Sequence, residues 1–276
     1  MAKEIKAANL QIENVSSRKK SFANRVTENI MILADEQDIT KSDLEKAVGI
    51  SAGYLSKLSN PDNTTVPSAE VLLAIARKLR VTVDLLLSSE LSKMSESEKF
   101  LAKFMDKVIK DTEEERLEWK TETREDLSEV SIYPDGSVSH QLFKAEYTGE
   151  VDGEGNLEYK AIYRAFFGDK RPAEINGNCY HTTLPFSDAE LYVMNILNAI
   201  PSPAGRFART HKEGYEVVLY KDNVIEPLCN YIEGKGAFGD MIITLVKVIE
   251  NSIEKKTFLK NAMSILESYM SDSKQY

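Results

Sequence analysis

The hydrophobic period of this chain changes partway along it. Up to about residue 109 the apolar residues recur at three- and four-residue spacings; from about residue 126 they alternate. A period of 3.6 and a period of 2 cannot serve one element. The chain is therefore expected to fold as an all-α part followed by an α+β part. A length of 276 residues suits about two domains.

The helical part is legible in detail. "SFANRVTENIMILADEQ" puts Phe22, Val26, Ile30 and Ala34 on one helical face, with Ser21 as its cap. "TKSDLEKAV" predicts a second helix, with Thr40 as N-cap, Asp43 in a variant capping box, and Gly49 closing it. Ser51 is expected to cap a third helix, "AGYLSKLS". "NPDNTTV" reads as a polar loop, and Pro67 suits the first turn of a fourth helix with a Val71, Leu72, Ile75, Leu79 stripe. A short fifth helix, "TVDLLL", follows. Packing the second helix on the third needs Leu44, Ala47 and Val48 against Ile50, Tyr54, Leu55 and Leu58. The small Ala47 is expected at the crossing.

In order and combination, "TKSDLEKAVGISAGYLSKLS", the proline before the fourth helix and the closing "LRVTVDLLL" resemble the Cro-like, XRE family of helix-turn-helix repressors of phages and bacteria. The resemblance runs from about Phe22 to Leu87. It implies a lambda-repressor-like five-helix DNA-binding domain whose third helix enters the major groove while the second crosses the backbone. By position, Thr40 and Lys41 would meet phosphate. Ser51, Ala52, Gly53, Ser56 and Lys57 form the outer face of the third helix, with Ser51, Ala52, Gly53 and Lys57 at base edges. Asn60, Asn63, Thr64 and Thr65 would offer hydrogen bonds to phosphate oxygens. This sequence departs from the family pattern. Lys41 stands where glutamine is usual, and the following loop lacks the usual glutamate, glycine and basic residue. Ala52 and Gly53 offer no side-chain donors, so readout by this helix alone is thin. Affinity is expected to draw on dimerisation, on phosphates, or on the basic arm "SSRKK", for which a solvated tail is the plain alternative.

Charge distribution bounds the partner. Residues 1–20 carry five Lys or Arg against two Asp or Glu, and residues 21–90 carry seven against ten. The first 90 residues are thus neutral and the remainder holds the whole net charge of −9, which phosphates would repel. No apolar run reaches the roughly 20 residues of a membrane span. The amino terminus lacks a signal-peptide core, and two cysteines make no disulfide framework or zinc cluster, so a cytoplasmic location is expected.

Beyond residue 90, Phe100, Leu101, Phe104, Met105, Val108 and Ile109 form a stripe on a connecting helix. That stripe is a candidate dimer seam or a packing face. "SEVSIYPDGSVSHQLF" alternates around a Pro-Asp-Gly turn. "KAEYTGEVDGEGNLEYKAIYRAFF" predicts a hairpin whose aromatics (Phe143, Tyr147, Tyr159, Tyr163, Phe166, Phe167) make one packed face, with a ligand pocket as the alternative. "SDAELYVMNILNAI" predicts a helix with Ser187 and Glu190 as capping box. "YEVVLY" predicts a strand, and "FGDMIITLVKVIENSIEKKTFLKNAMSILESYM" one broken or two consecutive helices. Trp119 is either an exposed anchor or folded back.

Other chemistry is set aside. Ala204-Gly205 resembles a self-cleavage dipeptide but lies far from the linker, with no serine and lysine pair following it. Cys179 and His181 share a strand face, yet two ligands are too few for a closed zinc site. No metal, cofactor or catalytic cluster is implied. The expected layout is a basic arm (1–20), the DNA-binding domain (21–90), a connecting helix (91–124) and an α+β dimerisation or sensor domain (125–276). The partners are double-stranded DNA, a second copy, and an unidentified effector or protein. A protein-binding inhibitor or antitoxin-like protein using the same fold as a scaffold is the main alternative. An enzyme merely localised by the module is a second one.

Overall fold

The structure, a computed structural model, describes residues 21–88, 90–122, 138, 142–151, 153–164, 167, 173–201, 209–232 and 238–272. The basic arm, the Pro-Asp-Gly turn, Phe166 and Ala204-Gly205 lie outside these residues. The chain divides into two compact units, one ending at Lys110 and one beginning at Asp111.

The first unit is helical. Helix α1 spans residues 21–35, followed by α2 (Lys41–Val48), α3 (Tyr54–Leu58), α4 (Ala69–Leu79), α5 (Val83–Ser88), a 3-10 turn (Leu91–Lys93) and α6 (Glu96–Glu113), inside which the division falls. The core gathers one face of each helix: Val26, Ile30 and Leu33 from α1, Leu44 from α2, Leu55 and Leu58 from α3, Leu72, Ile75 and Leu79 from α4, and Leu85 and Leu86 from α5. Helix ends are tied by buried polar groups, since end carbonyls and amides lack partners within the helix. Asn29, fully buried, donates to Leu86 O (3.0 Å) and accepts from Leu91 N (3.2 Å). Gln37 Nε2 donates to Leu79 O at 2.9 Å, closing α4.

Asp106 of α6 accepts from Thr82 N through both carboxylate oxygens (3.1 Å each) and from the Thr82 hydroxyl, while Thr82 Oγ1 accepts from Leu85 N to cap α5. Burial pushes the Asp106 carboxyl up, and the bonds from Thr82 pull the other way. Helix α4 begins one residue later than expected. Ser68 is its N-cap, accepting from Val71 N, and Pro67 stands outside the helix. On α6, Ala102, Met105, Val108 and Ile109 are buried within a single chain and only Phe100 of the apolar stripe is exposed, so most of the expected seam is already covered.

Among the described residues, the second unit is an antiparallel assembly of strands with one long helix. The strands are β1 (Lys120–Glu122), β2 (Phe143–Val151), β3 (Leu157–Tyr163), β4 (Ala173–Ile175), β5 (Cys179–Thr183), β6 (Glu190–Pro201), β7 (Arg209–Lys221) and β8 (Val224–Ile232); α7 is Gly239–Asp272. Strand β6 is the spine. Its first part pairs β5 and its later part pairs β4, while β7 runs along its other side. The sheet forks here: β5 leads to β1, and β4 leads to the expected hairpin β2–β3.

The segment expected to be a helix from Ser187 is therefore strand β6. Leu191, Tyr192, Val193, Met194 and Ile196 are all buried, so both faces of the strand are covered. A strand buried on both faces reads as a continuous apolar run and loses its alternation. The capping box fails locally as well. Phe186 (φ 66) and Asp188 (φ 52) are left-handed, and Ser187 Oγ accepts from Ala189 N, two residues on, rather than from Glu190.

One face carries Phe143, Tyr163, Cys179, Met194 and Val218 in a single cluster. Within it Glu216, fully buried, accepts from Tyr163 Oη (2.9 Å) and Phe167 N (3.0 Å). Burial and the carboxylate hold the Tyr163 hydroxyl well above its usual value, so it stays a donor. The hairpin aromatics are buried only at its base. Phe143 and Tyr163 are inside, whereas Tyr147 and Tyr159 contact each other in the open. Trp119 is folded back, its Nε1 donating to Thr112 Oγ1 at 2.9 Å. Helix α7 is continuous. Its first part buries Met241, Ile242, Leu245, Val246 and Ile249, and Tyr180 Oη donates to Glu250 Oε1 at 3.0 Å.

Candidate nucleic-acid interface

The interface is built on the α2–turn–α3 segment. Thr40 caps α2 as expected: its Oγ1 accepts from Asp43 N (3.2 Å) and donates to Asp43 Oδ2 (2.6 Å). Gly49 ends α2 at φ 78, and its N–H returns to Glu45 O and Lys46 O. Leu44, Leu55 and Leu58 are buried between the helices, while Val48, Ile50 and Tyr54 are half-buried. Ala47 is exposed, so it does not form the crossing; Leu44 occupies the covered face instead.

Helix α3 is short and starts late. Ser51 is not its cap. Gly53 holds the N-cap position at φ 79 with no side-chain cap, and only the Ser51 carbonyl, accepting from Tyr54 N at 3.1 Å, enters the turn. A Cβ on Gly53 would meet nothing within 4 Å. Glycine is favoured there by backbone conformation rather than by space.

The capping role passes to a residue the sequence reading missed. Glu45 of α2 is 5% exposed and points across the turn. Its Oε2 accepts from Gly53 N (2.9 Å) and its Oε1 from Leu55 N (2.8 Å). One carboxylate thus satisfies two amides at the start of α3 and locks the angle between the helices. Its charge also suits a helix amino end. The only local signal was an acidic residue beside Leu44 on the covered face.

The outer surface is arranged as expected from the helix face. Ser51, Ala52, Ser56 and Lys57 are exposed, and Gly53 is half-buried. Thr40 and Lys41, both exposed, stand at the start of α2, and Lys41 Nζ donates to Ser59 Oγ at 3.3 Å. That bond brings the beginning of α2 and the end of α3 onto one surface. In the following loop Asn60, Thr64 and Thr65 are exposed. Asn60 Oδ1 accepts from Asp62 N at 2.9 Å. Asn63 is engaged by the loop itself, donating to Leu58 O and Thr65 O and accepting from Thr65 N. It sets the loop's shape, with its amide turned to backbone.

Cys179 and His181 do share β5, but Asn195 N donates to Cys179 Sγ at 3.3 Å and His181 Nδ1 lies 2.9 Å from Glu122 Oε1. Among the described residues no group of three or more His, Cys, Asp or Glu is placed to hold a metal ion. No described helix is long and apolar enough to cross a membrane.

A helix-turn-helix family model (HTH_3) matches residues 30–86. The N-terminal part therefore carries an XRE-family helix-turn-helix, as the resemblance implied, and the strand-bearing part lies outside the match. No curated protein and no solved structure matches the chain.

Proposed function

We infer that the chain is a sequence-specific DNA-binding transcriptional regulator, a dimeric repressor of phage or bacterial type. Residues 21–90 act as its lambda-repressor-like five-helix DNA-binding domain, and the acidic α+β part dimerises or senses an effector. One observation carries this reading: α3 buries Leu55 and Leu58 and leaves Ser51, Ala52, Ser56 and Lys57 outward, on the same surface as Lys41. A helix held by one face with its other face bare is what major-groove entry requires.

On this reading Thr40, Lys41, Asn60, Thr64 and Thr65 contact phosphate, Ser51, Ala52, Gly53 and Lys57 meet base edges with Lys57 the one long reader among them, and Ser56 shares their outer face. Asn63 shapes the loop that presents its neighbours.

Duplex binding measured against salt tests this. Lys41→Ala should weaken binding about equally on all sequences and lower the salt slope by about 1, whereas Lys57→Ala should cost about 1–3 kcal/mol on the preferred site and relax preference there. No uptake of any duplex in dilute buffer would leave the protein-binding scaffold as the better account. The neutral balance of residues 1–90 favours that second reading, and capture of a protein partner without DNA would support it.

A further inference from the structure

Among the described residues, nothing covers the second part of α7. From residue 254 to residue 270 every residue is exposed except Ala262, which is half-buried. Yet this stretch is strongly apolar: Phe258, Leu259, Met263, Ile265, Leu266 and Tyr269 are 48% to 75% exposed. At 100° per residue these side chains, with Ala262, fall within an arc of about 160°. Lys260, Ser264 and Glu267 stand on the opposite side. A helix this sharply divided is built to bury one face.

We propose that this face is the seam of a homodimer, in which the distal half of α7 packs antiparallel against the same segment of a second copy. The proposal rests on the dimeric side of the reading above and not on DNA binding. Area supports it. Six large side chains about two-thirds exposed offer roughly 700 Å² per copy, close to the ~800 Å² per partner of a stable complex.

Charge selects the occupant and the direction. Lys255, Lys256 and Lys260 lie towards the start of the segment, and Glu267 and Asp272 towards its end. Lys255 is already paired with Glu115. Lys260 and Glu267 share one edge of the apolar arc but stand two turns apart, about 10 Å, too far to meet within one helix. An antiparallel pair brings like edges together. Centred between Met263 and Ser264, it sets Lys260 against Glu267 of the second copy, and the two-fold axis repeats the contact. The polar side favours this over a lipid surface, because Glu267 and the uncharged Ser264 stand beside Lys260 where an interfacial helix would carry Lys and Arg throughout.

The test uses the full chain and light scattering. Wild type should run at twice the 31.1 kDa chain mass. Leu259→Glu with Leu266→Glu should run as a monomer with unchanged circular dichroism, since both side chains are exposed. Lys260→Glu should raise the dissociation constant at least tenfold, and adding Glu267→Lys should restore it. A wild type that stays monomeric at about 100 µM, a dimer indifferent to the leucine pair, or no rescue by the charge swap overturns the proposal. So does a monomer that floats with mixed zwitterionic and anionic vesicles. Duplex binding by the same preparations is scored separately. If it persists while the seam fails, only this proposal falls; if wild type dimerises as described but takes up no duplex, only the DNA-binding reading falls.

Discussion

Glu45 shows how much one buried side chain can organise. Its two oxygens each accept from an amide of the turn into α3, and the residue is nearly sealed from water. Removing it leaves two amides at the start of α3 without their partner, and each bond to a charged group contributes about 1.5–3 kcal/mol. Glu45→Ala is therefore expected to lower the urea midpoint by an amount equivalent to about 3–6 kcal/mol and to loosen duplex binding along with it. Glu45→Gln keeps one oxygen and should fall between. A Glu45→Ala variant as stable as wild type would show that the turn stands without this carboxylate. Sequence reading placed Thr40 and Gly49 correctly because a cap acts within its own turn of helix. It assigned Ser51 by the same local rule and missed Glu45, whose amide partners lie eight and ten residues downstream.

Among elements, the clasp between α5 and α6 gives a pH signature. Burial raises the Asp106 carboxyl above its ordinary 3.8. A group whose folded value is raised stabilises the fold fully below its unfolded value, and that contribution is lost as pH rises through the folded value. The melting temperature of wild type relative to Asp106→Asn should thus be highest below pH 3.8 and decline as pH rises above it. A gap that stays constant would show ordinary titration. Elements also mark where sequence legibility ends. The hairpin β2–β3 was readable because its strands alternate and its turn carries glycine. Strand β6 was not, since burial on both faces erased the alternation and left a capping-box pattern that two left-handed residues break. Strand β8 went unforeseen because Pro227 interrupts it. The proline is tolerated at a sheet edge beside the shift in register near Val217 and Val218.

For the whole molecule, the two thiols report on the integrity of the second unit. Burial pushes Cys179 and Cys229 up to about 12. Only thiolate reacts readily, so a disulfide reagent at about pH 8 should label neither cysteine in the native protein and both after denaturation. Rapid labelling of one thiol in the native state would mean that its strand opens locally. That a helical part precedes a strand-bearing part was legible from the change in hydrophobic period, as was the side of α3 that lies exposed. How the strands of the second unit join was not, because pairing partners such as β4 and β6 are set by contacts across sequence that no local pattern records. The border at β8 is interrupted by Pro227 and by the register shift opposite Val217 and Val218. A proline and a slipped register deny a foreign strand the ladder of amide bonds it would need to zip onto that rim, so this margin guards against fibre-like stacking even when the protein is crowded.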